Sequence, residues 1–235
     1  MNATVDLSGH FLMAMPGAVE GELAGTVIYV CEHSDQGALG LVINRPMDLK
    51  ISHLLQKVDM ASMDGEGEDG LEAKRQANQA NQANQASEDG EAEEMKDSFV
   101  SSSENAPETP HSIESSESPV FYGGPVQTDR GFVLHKPAGD YASSIELNDS
   151  MALTTSRDVL QAVASGEGPA QMLVTLGYAG WGAGQLEQEL AQNAWLSVAA
   201  QADIIFDEPP ASRYPAAMRL LGIDPAMLAG SAGHA

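Results

Sequence analysis

One stretch, Thr26 to Pro46, leaves this chain few ways to fold. From Thr26 to His33 the residues are mostly β-branched, aromatic or apolar, which suits a pleated, half-buried surface better than a helix. That predicts a strand. His33 to Gly37 supply turn residues, and Ala38 to Asn44 read as the returning strand of a hairpin, with Gly40 inside it. Proline has no amide hydrogen to donate and holds the residue before it extended, so Asn44-Arg45-Pro46 ends the ribbon. Alternation along the first strand puts Val27, Tyr29, Cys31 and His33 on one face and Ile28, Val30 and Glu32 on the other.

The rest of the chain is read around that hairpin. Phe11 to Met15 is a short strand stopped by Pro16-Gly17, and Ile51, Leu54, Leu55 and Val58 recur at helical spacing behind a cap at Asp48. Residues 59–118 change character: Gly, Glu and Asp accumulate, Asn-Gln-Ala units repeat, and Ser, Glu and Pro follow. Such a segment buries too little apolar surface to offset its ordering entropy, so it reads as a disordered acidic insertion in a single domain. An interaction tail or nascent helix is the alternative.

Order returns with Val120-Phe121-Tyr122, the Gly123-Gly124-Pro125 turn and a second turn at Asp129-Arg130-Gly131. Strands follow at Phe132 to His135, Ser144 to Leu147 and Met151 to Thr154. Thr155 to Asp158 has capping-box spacing before a helix carrying Val159, Leu160 and Val163. Met172 to Leu176 reads as a central strand, and Gly177 to Gly184 as a loop into a helix faced by Leu186, Leu190 and Ala194. Ile204 to Phe206 reads as a last strand. Ser212 then caps a final helix that turns Ala217, Met218 and Leu221 inward, with Pro215 in its first turn. Strands and helices mix without strict alternation, so the class is α+β.

Charge narrows the function. The chain carries 11 basic and 34 acidic residues, net -23, and even without residues 59–118 it retains 8 bases against 18 acids. Such a surface repels phosphate backbones, so direct nucleic-acid binding is disfavoured. One cysteine allows no internal disulfide and fits a reducing compartment. No stretch has the form of a signal peptide or a membrane span.

Cys31 and His33 are the candidate catalytic pair, because an imidazolium beside a thiol lowers its pKa. Residues two apart in a strand lie about 6.5 to 7 Å apart at Cα, so contact needs favourable rotamers. A small core cysteine is the plainer reading. Arg45, Asp129, Arg130, His135 and Arg157 are the candidate ligand-binding residues, the charged ones standing at turns and element ends, where local ion pairs and caps are the structural alternative. Glu32 is expected to meet solvent or Arg45. A metal site from Cys31, His33 and His135 lacks supporting spacing, and no cofactor is expected. The Gly177 to Gly184 loop is neither a Walker loop nor GxGxxG.

Several short motifs, in order along the chain, resemble the AlgH/YqgE family of small bacterial proteins. They are Phe11 to Pro16, Tyr29 to His33, Asn44-Arg45-Pro46, Gly123-Gly124-Pro125, Asp129 to Phe132, Thr154 to Asp158, Gly177-Tyr178-Ala179, Gln185 to Glu189 and Ala232 to Ala235. The resemblance implies a bifurcated mixed sheet that includes a small barrel, with helices outside. It also implies a cytoplasmic bacterial protein without an established activity, in a family often labelled as transcriptional regulators. The long acidic insertion and the glycine excess at 177–184 depart from that pattern. The leading expectation is a non-catalytic regulatory or interaction protein that binds another protein or a small ligand on the hairpin side. A thiol-based sensor or enzyme using Cys31 comes second, and a DNA-binding regulator last.

Overall fold

The computed structural model describes residues 6–56, 117–148 and 150–224. The expected acidic insertion therefore lies almost wholly outside the described residues; residues 51–56 are helical as expected, and Val58, the last apolar position expected on that helix, also lies outside them. Among the described residues, besides the helical stretch 51–56, ten strands and four α-helices follow in order. They are β1 (His10–Ala14), β2 (Val27–Ser34), β3 (Gly37–Val42), β4 (Pro46–Lys50), β5 (Pro119–Tyr122), β6 (Val126–Lys136), β7 (Ser144–Asn148) and β8 (Met151–Thr154). Then come α1 (Asp158–Ser165), β9 (Gln171–Gly182), α2 (Gln185–Ala191), β10 (Trp195–Ala199), α3 (Ala202–Phe206) and α4 (Pro210–Leu220).

The strands form one sheet in the order β10-β1-β2-β3-β9-β6-β8-β7, which forks at β9 because β5 joins it there and brings β4 with it. All pairs are antiparallel except β5 with β9. The fold is the expected α+β one, a forked mixed sheet curled into a half-barrel with few helices.

The fork explains the glycines at 177–184. Gly177, Gly180 and Gly182 belong to a strand and not to a loop, because β9 runs on to Gly182, pairing with β6 through Tyr178 and with β3 from Ala179 onward; Gly184 lies in the turn before α2. Changing partners in mid-strand brings backbones too close for side chains. A Cβ on Gly124 would overlap the main chain of Tyr178, and one on Gly177 the carbonyl of Gly124. Both glycines also hold positive φ, which costs glycine little.

Three clusters fill the structure. Phe11, Tyr29, Cys31, Phe132 and Leu134 line the inner face of the half-barrel, covered by Ile204 and Ile205 of α3 and Ala217 and Met218 of α4. Leu12, Ile28, Val30, Trp181 and Trp195 pack on the opposite face against Leu186 of α2. Val133, Val159 and Val174 bind α1 to the outside of β6 and β9. Central strands buried on both faces are why Val27 to Cys31 is unbroken apolar sequence.

Several local expectations are corrected. Ile204 to Phe206 is helical: Ile204 and Ile205 are both buried in one cluster, whereas a strand would send them to opposite faces. Helix α2 ends at Ala191, short of Ala194, expected on its apolar face, and the strand β10 that follows is not among the expected elements. The Asp129 to Gly131 turn lies within β6, where residues 127–130 bulge between the Val126–Tyr178 and Gly131–Leu176 pairs. Asp48 sits in β4 and caps nothing. Helix α4 begins at Pro210, so Ser212 lies inside it, Pro215 falls in its second turn, and Leu221 is exposed beyond its end.

Candidate functional site

The hairpin is built as expected, but β2 carries one extra residue. Val30 pairs with Gly40 and Glu32 with Leu39, leaving Cys31 without a partner on β3. A β-bulge resets the strict alternation of faces. Cys31 therefore stays with Tyr29 in the inner cluster, while His33, opposite Ala38, turns to the other face with Glu187 of α2. The shared face expected for Cys31 and His33 does not form.

Both side chains are committed elsewhere. Cys31 is 5% exposed, and its thiol lies 3.8 Å from the Tyr29 carbonyl. Burial pushes its pKa well up, and the Glu32 carboxylate adds to the rise. His33 Nδ1 accepts the Leu7 amide hydrogen at 3.2 Å. The other nitrogen, Nε2, therefore carries the proton and donates to Glu187 Oε1 at 3.2 Å. With both ring nitrogens occupied, neither faces the thiol.

The other candidates do not converge. His135 is fully buried between the Pro137 carbonyl, 2.9 Å from Nδ1, and the Thr154 hydroxyl, 2.8 Å from Nε2. A carbonyl can only accept, so in the neutral ring Nδ1 holds the proton and Nε2 accepts from Thr154. Its neighbour Tyr141 meets the ring edge-on at 5.3 Å. Arg45 reaches the Ala24 carbonyl rather than Glu32. Arg130 lies over Phe132 and donates to Gln127 and Thr155. Asp129 and Arg157 are exposed, the latter at the start of α1 without capping it through its side chain. Asp158 does not complete a box with Thr155. It sits at the first turn of α1, where burial opposes its charge but hydrogen bonds from the Ser156 hydroxyl and the Ala142 and Val159 amides hold its carboxyl below the usual range.

Sequence reasoning missed Arg213, buried on α4. It donates to the Ile43 and Glu208 carbonyls and lies 4.9 Å from the centre of the Phe121 ring. Burial lowers its pKa to about 10. It clamps the C-terminal helix to the end of the hairpin. Only its place on the inward side of a helix hinted at this.

On the hairpin lies an open groove of about 420 Å³, lined by Glu32, Ser34, Leu39, Val126, Tyr178 and Gly180 among others. Glu32, Leu39 and Gly180 are directly opposite one another across β2, β3 and β9. With no side chain on Gly180 or on Gly37, the backbone forms the floor. Trp181 lines it as well; its ring packs edge-on against Trp195, and both indole N–H groups donate to Glu189 Oε2. None of the catalytic or ligand-binding candidates lines the groove. Among the described residues no three His, Cys, Asp or Glu side chains gather as metal ligands. No helix among them is long and apolar enough to cross a membrane.

A forked, curled sheet braced by a few helices, with an open groove on its hairpin, defines a class of small α+β protein. Residues 11–226 match the sequence profile of the AlgH-like family, DUF179, and the chain belongs to that family. It is 57% identical to the UPF0301 protein Bpet0561 of Bordetella petrii over 98% of this chain and 90% of that one. A UPF0301 protein of Cupriavidus metallidurans is 45% identical over 99% and 97%. The solution structure of AlgH from Pseudomonas aeruginosa superposes with a TM-score of 0.64 at 37% identity, covering 100% of this chain and 99% of that one. The crystal structure of protein DIP2367 from Corynebacterium diphtheriae, at 16% identity and a TM-score of 0.54 over 93% and 89%, shares the fold.

Proposed function

We propose that this protein is a non-catalytic regulatory or interaction protein of the bacterial cytoplasm, which receives a protein or small-ligand partner in the groove on its β2–β3 hairpin. One observation carries the reading: the groove is open and lined by polar and apolar side chains together, whereas Cys31, His33 and His135 are enclosed and fully bonded. A thiol-based activity would need a thiolate that attacking reagents can reach, and burial works against both requirements. The free cysteine accords with a reducing compartment. The family's regulator label, read as direct DNA binding, conflicts with the acidic balance of the chain.

The test is to fill the groove. Ser34→Trp places an indole at its exposed rim, and Ser165→Trp, far along the sequence on α1, serves as control. Affinity capture from a bacterial lysate, with native mass spectrometry of the recovered complexes, should lose the same bound species with the first variant and keep it with the second. Equal recovery with both variants sinks the proposal.

A further inference from the structure

The groove has a chemical sign. Glu32 is its one charged lining residue; it is exposed, and its carboxylate forms no hydrogen bond or ion pair with another described residue. No lysine, arginine or histidine lines the groove. Leu39 lies beside Glu32 as its cross-strand neighbour, with Gly180 beyond it, and Val126 and Tyr178 also line the groove; Leu39, Val126 and Tyr178 are half-buried. The Tyr178 ring packs edge-on against Phe132 at 5.5 Å, and its hydroxyl is not hydrogen-bonded to another described residue. One wall is thus apolar and aromatic, and the other presents an uncompensated carboxylate with the Ser34 and Gln36 side chains beside it.

Long cationic side chains have the matching form: an aliphatic stem that covers apolar surface and a charged head that seeks a carboxylate or an aromatic face. Anions meet the wrong sign, both here and over the whole chain. Geometry separates a free small cation from one carried on a chain. Pockets that hold small molecules enclose most of the ligand's surface, which an open groove cannot do. A peptide adds contacts along the flanking hairpin and does not depend on enclosure.

We infer that the groove receives a lysine or arginine side chain presented by an extended basic segment of a partner protein. This deepens the proposed function and rests on the groove being its binding surface. Charge supplies orientation and part of the affinity: an exposed carboxylate contributes a few-fold, and a cation over Tyr178 a similar factor.

The probe is an acetylated, amidated hexapeptide of alternating alanine and arginine, with an analogue carrying citrulline in place of arginine. Citrulline keeps the shape and removes the charge. Binding to the full chain is followed by amide NMR at Glu32, Leu39, Tyr178 and Gly180, so that attraction to acidic residues elsewhere is not scored. The arginine peptide should shift these amides with an affinity that falls as salt rises. The citrulline peptide should bind about tenfold more weakly. Glu32→Gln, an exposed change that keeps the side chain's shape, should weaken the arginine peptide about three- to fivefold. Equal shifts from both peptides, or indifference to Glu32→Gln, overturn the cationic assignment and leave the groove as a binding surface. No shift at these amides also overturns it. The groove reading itself falls only if Ser34→Trp also leaves capture unchanged.

Discussion

Cys31 and Glu32 are neighbours at one bulge, yet they belong to two different regions. Cys31 enters the sealed inner face of the half-barrel beside Tyr29, where an ionised group has nothing to solvate it. Glu32 stands at the open groove, its carboxylate without a partner among the described residues. The residue types associated with chemistry, a thiol and two imidazoles, are the ones the fold encloses and satisfies. The residues free to act are an ordinary glutamate, a tyrosine and two glycines. Availability, not intrinsic reactivity, separates the interior from the groove.

The most forceful way to break that separation is at the crossing of β9, which contributes to both regions. Gly124→Val would drive a side chain into the Tyr178 main chain at a positive φ, so a loss of at least about 3 kcal/mol, or failure to fold, is expected in urea unfolding. Gly131→Ala meets open space and should stay within about 0.5 kcal/mol. A near-native midpoint for Gly124→Val would mean that the crossing is not pinned there.

The next largest effect concerns the thiol. Cys31 should react with iodoacetamide at least about a hundredfold more slowly in the native protein than in urea, since reaction requires opening. Its folded pKa lies above the unfolded one. Below about pH 8.5 both states keep the proton and the linkage is silent; above it the unfolded chain ionises first, so this group erodes stability as pH rises. Fast native alkylation near neutral pH would place the sulfur outside the sealed region and revive a thiol function.

The hairpin, β8 and the central strand were legible because their apolar runs and turn residues are local signals. The β2 bulge was not. One extra residue leaves no mark in composition, yet it decided that Cys31 and His33 face opposite ways. Glycine-rich 177–184 looked like a loop because close passage of another backbone and loop flexibility call for the same residue; only pairing with β6 and β3 distinguishes them. The groove could not be read at all, since Glu32, Leu39 and Gly180 meet through register between strands far apart in sequence. The charged turn residues were found, but Arg45 bonds the Ala24 carbonyl and Arg130 the Gln127 and Thr155 side chains rather than a shared ligand space.

His33 tests the boundary between the two regions. His33→Leu keeps the bulk but strands the Leu7 amide and removes the partner of Glu187, so a loss of about 1 to 3 kcal/mol is expected. Glu187→Gln should cost under about 1 kcal/mol, because that carboxylate is partly exposed and water replaces the contact. Equal losses would instead make the ion pair, not the amide bond, the element that fixes the N-terminal segment.

The smallest effect has the opposite sign. Tyr29 is 1% exposed, and its hydroxyl makes no well-formed hydrogen bond, although the Asn148 side chain is nearby. A buried donor without a partner costs more than the same volume of hydrocarbon, while the ring itself keeps its edge-on contact with Phe11 at 6.3 Å. Tyr29→Phe should therefore be neutral or stabilising by up to about 1 kcal/mol in urea unfolding. A loss beyond 1 kcal/mol, on the same scale, would show that Asn148 or an enclosed water satisfies the hydroxyl. The inner face would then be a polar, hydrated interior rather than a sealed one, and the contrast between Cys31 and Glu32 would shrink to a difference in depth.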